Sequence, residues 1–371
     1  MQWLDAAALW AAVALFSSCA SPTHRPQDGR PASGAVAMAQ ASPPALQRQN
    51  DLVAGSTDAP ADAVVLVTLD GVRWQEVFQG VDAQLAARDG MPRAAVVPAA
   101  TLMPNVRRLF FDGGVVLGAP GRGAGIGALG PRYVSLPAYV ELMTGARSTC
   151  WSNDCQPIIG WTVAEELRGD APGTAAVFAS WERIAAVFPD PGTLALHAGR
   201  DSGDEPLPHP GNGGYRPDRI TARRALAHLV EHRPRFLWLA LGDTDEWGHR
   251  NDYRGYLDAL RAADAVIGEI AAHLAEMPGY GERAALVVTT DHGRDDGFAD
   301  HGGKASADVW LMARGAGVAN IGAVATAKRR HLRDVAPTVL SLLGRTQEAC
   351  EECGEVLAEV LAAPAAPVAA R

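Results

Sequence analysis

The chain has 371 residues, of which 48% are hydrophobic and 20% charged, enough for one large α/β domain with a substantial core. Its net charge of −9, with no basic run, argues against a nucleic-acid surface and sets no bias toward a membrane.

Residues Ala6 to Phe16 form an unbroken run of eleven apolar residues. That is too short for a bilayer span, which needs about 20, and fits the ~7–15 of a signal-peptide core. The run ends in Phe16-Ser17-Ser18-Cys19-Ala20, which is similar to a bacterial lipoprotein cleavage box. Met1-Gln2-Trp3-Leu4-Asp5 lacks the positive charge of an export signal, so a misplaced start or a buried apolar helix is the alternative. We read residues 1–19 as an export leader. That reading places the protein in the periplasm or outside the cell, with a lipid on Cys19 as a candidate membrane tether and no transmembrane helix. Residues 20–62 are rich in Ala, Pro, Ser, Gly and Gln; they cannot bury enough apolar surface to order and read as a linker.

With Cys19 assigned to processing, Cys150/Cys155 and Cys350/Cys353 remain as two close pairs. An exported chain closes such pairs as short-loop disulfides. Half of a zinc clip at Cys350 and Cys353 is the alternative, but no second half lies nearby.

Along the body, apolar runs predict strands at Ala63–Leu69, Ala175–Ala179, Phe236–Leu241, Ala284–Thr290 and Val309–Ala313. Amphipathic segments predict helices at Met103–Asp112, Leu136–Met143, Thr162–Leu167, Arg219–His232, Tyr253–Glu276 and His331–Leu343. The alternation predicts a doubly wound, mostly parallel sheet with helices on both faces. We expect a single compact catalytic domain over 63–347 without a large cap, then a tail over 348–371.

Three predicted strands end in acids: Asp70 after Leu69, Asp245 after Leu241-Gly242-Asp243-Thr244, and Asp291-His292 after Thr290. One Asp after one strand is ordinary turn chemistry. Three should converge at the carboxyl edge of a parallel sheet, where ligands gather. Asp245 and His249 are four apart, so one helical turn can aim both at one ion. Asp291 and His292 are adjacent and diverge, so they serve different groups. His301 lies in the glycine-rich Asp300-His301-Gly302-Gly303, where the backbone can approach a site. Ser135 precedes Leu136-Pro137 at a predicted helix start, which makes it a helix cap or a nucleophile beside unpaired N–H groups.

These residues, with Ser135 followed by Leu-Pro and Leu-Met-Thr-Gly and a closing Asp334-to-Gly344 segment, resemble the alkaline phosphatase superfamily in order over most of Val64–Gly344. The resemblance implies two divalent metal ions, one held by Asp245, His249 and His301 and the other by Asp70, Asp291 and His292, with the nucleophile Ser135 bridging the pair as a further metal ligand or approaching it. So many imidazoles suit Zn2+; Mn2+ suits carboxylate-rich relatives. The small-molecule substrate implied is a phosphate ester, attacked through a phosphoserine. Asp243 competes with Asp245 as ligand, and its spacing from His249 assigns it instead to orienting a ligand.

Departures from the family narrow the activity. Diesterase relatives carry Asn after the proline, where this chain has Ala138, and a further Asn whose nearest counterpart is Asn153. Sulfatases need Arg where Tyr139 stands, which argues against formylglycine formation. Candidate phosphate contacts are Arg147, Asn153 and Lys304. Gly118–Gly130 reads as a loop near the site mouth, and Trp151, Trp161, Trp247 and Tyr139 as pocket or core aromatics. The favoured function is an exported phosphomonoester hydrolase. A phosphodiesterase, an envelope headgroup phosphotransferase and a metal-binding protein without turnover are the alternatives.

Overall fold

A computed structural model describes residues 60–156, 161–167, 174–201, 204, 211, 214–348 and 350–363. The leader over 1–19, the lipid site at Cys19 and all but the end of the 20–62 linker lie outside the described residues.

Eleven strands are described: β1 (Ala63–Leu69), β2 (Val115–Leu117), β3 (Ile126–Gly127), β4 (Ala175–Ala179), β5 (Ala195–Ala198), β6 (Phe236–Leu241), β7 (Ala284–Thr289), β8 (Asp308–Val309), β9 (Leu311–Gly315), β10 (Gly322–Ala323) and β11 (Arg330–His331). Eight form one sheet in the order β10-β2-β9-β7-β1-β6-β4-β5, and β11-β3-β8 form a small second sheet. Parallel pairing runs from β7 through β1, β6 and β4 to β5. Only β9 is antiparallel to its neighbours in the large sheet, β7 and β2.

The central strands are buried on both faces, which explains their unbroken apolar sequences. In β1, Val64 and Leu66 pack with one core, whereas Ala63, Val65 and Val67 pack with the other. Helices α1 (Ser135–Thr144) and α5 (Val335–Leu342) cover the first face; α2 (Asp218–His232) and α4 (Tyr253–Ala275) cover the second. Between β6 and α4 lies the short helix α3 (Asp243–His249). No helix among the described residues is long and apolar enough to cross a membrane.

Three local readings change. The strand expected at Val309–Ala313 is two strands in two sheets, divided at Trp310, whose indole is buried and donates to the Val72 carbonyl at 3.1 Å. The predicted 103–112 helix is a short helical turn, Pro104–Val106, continued by the wider turn Arg107–Phe111. The domain body also extends past residue 347. Leu357 and Val360 are buried, Gly354 N–H donates to Gly145 O at 2.6 Å, and Leu357 N–H donates to Thr338 Oγ1 at 2.8 Å. Two apolar anchors in an otherwise acidic segment suffice to dock it. Both expected disulfides, Cys150–Cys155 and Cys350–Cys353, are present.

Candidate active site

The carboxyl ends of β1, β6 and β7 share one edge because the three strands are parallel. β1 delivers Asp70, and Gly71 follows with φ +65; a Cβ there would collide with the Asp245 carboxylate, so the turn requires glycine. Gly71 N–H donates to Asp291 Oδ1 at 3.0 Å and Val72 N–H to Thr290 Oγ1 at 3.1 Å, which ties the exits of β1 and β7 together. Helix α3 begins directly after β6. Its first N–H groups are held by Asp218, which accepts from Gly242 N–H at 2.8 Å and Asp243 N–H at 2.9 Å. That clamp sets the direction in which Asp245 and His249 project.

Two side-chain groups gather at this edge. In the inner one, His292 Nε2 stands 3.3 Å from Asp291 Oδ2 and 3.5 Å from Asp70 Oδ1, so the adjacent pair Asp291 and His292, expected to diverge to different groups, meets in one. In the outer one, His249 Nε2 is 3.0 Å from Asp245 Oδ2 and 3.1 Å from His301 Nε2. The groups touch, since ligand atoms of Asp245, His292 and His301 also lie within 4.8 Å of one another. Ser135 Oγ sits at the inner group, 3.2 Å from His292 Nε2 and 3.4 Å from Asp70 Oδ1. It is the first residue of α1 rather than its cap: Val134 holds the cap position, and the hydroxyl points to the acids instead of back to the helix.

Hydrogen bonding fixes the tautomers of the two buried imidazoles. His292 Nδ1 lies 2.7 Å from Gly293 O, and His301 Nδ1 lies 2.9 Å from Tyr133 O. A carbonyl only accepts, so each Nδ1 carries the proton and each Nε2 presents a lone pair to the cluster. Burial brings His292 down to about 4, and burial with His292 alongside brings His301 down to about 4, so both are neutral at neutral pH. Burial, reinforced by Asp291 and Asp245, holds Asp70 well above the usual carboxylate range, and burial lifts Asp291 to about 7. Burial acts in the same sense on Asp245, but the Arg294 guanidinium and then His301 and His249 outweigh it and hold that carboxyl well below its ordinary value.

In the inner group the lone pair of His292 Nε2 therefore faces carboxylate oxygens, and in the outer group that of His301 Nε2 faces the His249 ring. Asp291 Oδ2 is buried with no hydrogen-bond donor. Imidazoles and carboxylates aimed at common points, with His292 and His301 each neutral and oriented by a backbone carbonyl, fit divalent cations. The inner residues Asp70, Asp291 and His292 would hold one ion, and the outer residues Asp245, His249 and His301 a second.

Two residues that sequence reasoning did not pair with the metal-ligand acids belong to the site by contact. Tyr139 is one turn beyond Ser135 on α1, and its hydroxyl donates to Asp70 Oδ2 at 2.9 Å. The helix thus grips both oxygens of one carboxylate, a contact that the i, i+4 spacing could have suggested. Burial and the nearby acids push the Tyr139 pKa up, so it remains a donor. Arg294 is buried and ion-paired with Asp245 Oδ1, and its Nη2 donates to Ala299 O at 2.7 Å. No spacing rule predicts that a residue three after Asp291 turns toward a different strand end.

The proposed phosphate contacts separate. Asn153 Oδ1 accepts from Leu136 N–H at 3.0 Å, beside the nucleophile. Lys304 opens the short turn Lys304–Ala307 and is exposed, three residues from His301. Arg147 is not brought to Ser135: α1 rises about 14 Å between Ser135 and Thr144. Its guanidinium meets Gly130 O at 3.2 Å and Glu352 at 3.8 Å. Asp243 accepts from Tyr215 OH at 2.8 Å and Asp218 N–H at 3.3 Å.

Comparison with known proteins agrees with this architecture. Residues 217–347 match the Metalloenzyme superfamily, and no curated protein matches the chain. The fold is similar to that of a lipoteichoic acid synthase, LtaP, from Listeria monocytogenes, with TM-score 0.55 and 14% identity over 81% of this chain and 79% of that one. It is also similar to the phosphonate monoester hydrolase of Agrobacterium radiobacter, with TM-score 0.54 and 15% identity over 81% and 77%. A 2-O GAG sulfatase gives TM-score 0.55 and 13% identity over 81% and 74%. At such identities the likeness concerns the fold.

Proposed function

We propose that this chain, whose residues 217–347 match the Metalloenzyme superfamily and whose fold is similar to that of a sulfatase and a phosphonate monoester hydrolase, is an alkaline phosphatase-like enzyme that hydrolyses phosphate esters through Ser135. The observation that carries the reading is the serine oxygen 3.2 Å from His292 Nε2 and 3.4 Å from Asp70 Oδ1, at the rim where both ligand groups meet. Divalent ions bound by these groups supply Lewis-acid charge for the attacking and leaving oxygens. Zn2+ suits the three imidazoles, with Mn2+ the alternative.

The chain's own residues position the reactants. Tyr139 and the tie from Gly71 to Asp291 hold the inner carboxylates, and Asn153 accepts from the Leu136 N–H in the first turn of α1. Ser135 Oγ forms a bond to phosphorus as the bond from phosphorus to the ester oxygen breaks, and the alcohol leaves with a proton. Water then cleaves the phosphoserine, releases phosphate and restores the hydroxyl. Phosphomonoesters are favoured because Ala138 stands where diesterase relatives carry Asn. A diester or headgroup-transfer reading draws on one observation, the Asn153 amide at the nucleophile. The two disulfides favour an oxidising compartment, in keeping with export.

Metal-loaded protein assayed on p-nitrophenyl phosphate, bis-p-nitrophenyl phosphate and p-nitrophenyl sulfate tests the reading. Faster monoester cleavage with a phosphoserine trapped by acid quench is expected. A faster diester rate overturns the monoester preference, sulfate cleavage alone overturns phosphate chemistry, and bound metal without turnover overturns the enzyme.

A further inference from the structure

Helix α1 begins without a side-chain cap of its own. The cap position belongs to Val134, which has no side-chain acceptor, and Ser135 directs its hydroxyl to His292 and Asp70. A helix leaves its first N–H groups without intrahelical partners, and a serine beside them ordinarily accepts from one. Here the Leu136 N–H is met from another part of the chain, by Asn153 Oδ1 at 3.0 Å. Asn153 thus does the work of a cap while the Ser135 hydroxyl faces the acids.

A closed loop presents Asn153. The Cys150–Cys155 disulfide spans it, and the segment lies outside any helix or strand, so opening the bridge would return backbone freedom to Asn153. Cys150 is buried, and its N–H donates to Ser148 Oγ at 3.1 Å. Arg183, in the turn Glu182–Val187 after β4, holds the other side: Nε donates to Asn153 O at 3.1 Å and Nη2 to Cys155 O at 2.8 Å. The second disulfide, Cys350–Cys353, serves the opposite end of α1, where Gly354 N–H donates to Gly145 O at 2.6 Å. That end lies about 14 Å along the helix from Ser135.

We propose that the Cys150–Cys155 bridge is a positioning device for Ser135, acting through Asn153 on the first turn of α1; the inference rests on the reading of Ser135 as nucleophile. The chain of contacts is short: bridge and Arg183 fix the loop, the loop fixes Asn153, and Asn153 fixes the N–H of the residue next to Ser135. The Asp and His ligands stand on other segments, at the ends of β1 and β7, on α3 and in the loop of His301. Opening the bridge should therefore misplace the attacking oxygen and leave the metals in place. A displacement of about 1 Å in a reacting group can cost about 100-fold in rate.

The experiment compares the metal-loaded wild type with Cys150→Ser/Cys155→Ser, with Asn153→Ala, with the three substitutions combined, and with Cys350→Ser/Cys353→Ser as the control bridge. On p-nitrophenyl phosphate, opening the first bridge should lower kcat about 10–100-fold, with KM within about threefold and bound metal at wild-type content. The combined variant should lose no more than Asn153→Ala alone, because both changes act on one contact. Opening the control bridge should leave kcat within about twofold, since it acts at the far end of the helix. Losses that multiply in the combined variant, or an equal loss from the control bridge, overturn the inference. If Cys150→Ser/Cys155→Ser fails to fold, Arg183→Ala, which removes the other hold on the loop, takes its place in the same comparison. Amide hydrogen exchange over Leu136–Tyr139 gives a readout that needs no turnover. It should quicken when the first bridge opens and stay unchanged when the second does; unchanged exchange in both sinks the positioning role. A wild type that cleaves no phosphate ester sinks the reaction reading alone, because the exchange comparison still decides whether the bridge orders the start of α1.

Discussion

The inner and outer ligand groups are built from similar residues and differ in almost every physical respect. Asp291 and His292 are 0% exposed and Asp70 5%, and two of the three stand at the ends of the paired central strands β1 and β7. The outer group hangs from a short helix and a loop, and the His249 side chain is 44% exposed. The inner carboxylates are pushed up in pKa by burial, whereas Asp245 is held down by Arg294. A buried set of acids and a lone pair confined together favours a cation strongly. A rim set already sharing a guanidinium favours one less, so the inner ion should be the structural partner and the outer one the more exchangeable.

The largest test removes the nucleophile shared by both. Ser135→Ala should lower kcat by about 10⁴–10⁶ while metal content measured by plasma spectrometry stays near wild type, because the six Asp and His ligands remain. Near-wild-type turnover would mean that water attacks directly and the serine is only a neighbour.

The next pair separates the groups. Asp291→Ala should empty the inner site and remove most of the metal-dependent stabilisation, about 3–4 kcal/mol at metal concentrations 100 to 1,000 times Kd. His249→Ala should weaken only the outer ion and shift the holo melting temperature far less. Equal shifts in calorimetry would abolish the distinction between inner and outer.

Tyr139→Phe sharpens the inner side further. Losing the hydroxyl frees Asp70 Oδ2, and affinity at the inner site should change about 10–100-fold by titration calorimetry, with the outer site unmoved. No change in either site would reduce Tyr139 to packing.

The pH dependence is the smallest effect. Asp291 has its folded pKa raised to about 7, so below that value a proton competes with the metal. His292 and His301, lowered to about 4, stay unprotonated through the same range and add no competition. Asp70 is raised in the same sense and adds proton competition, so inner-site affinity should rise with pH and fall at least about tenfold per unit as pH drops from 7 toward 5. A flat profile, or a fall with rising pH, would contradict the assigned burial effect.

Sequence alone determined the strands that matter and what stands at their ends. β1, β4 and β6 fall at the predicted residues because a strand buried on both faces must be continuously apolar, a signal that needs no partner. Asp70, Asp245 and Asp291 were legible for the same reason, as polar residues directly after such runs. The i, i+4 pair Asp245 and His249 was legible through helical geometry. What only the tertiary structure decided concerns atoms from segments distant in the chain. Arg294 reaching Asp245, Tyr139 holding Asp70, Asp218 clamping the start of α3 and Arg147 turning away to Glu352 all depend on which strands lie side by side. Local periodicity specifies the face a side chain occupies; the neighbour it meets there is set by sheet order and the packing of α1 on it, which a single sequence does not encode at short range.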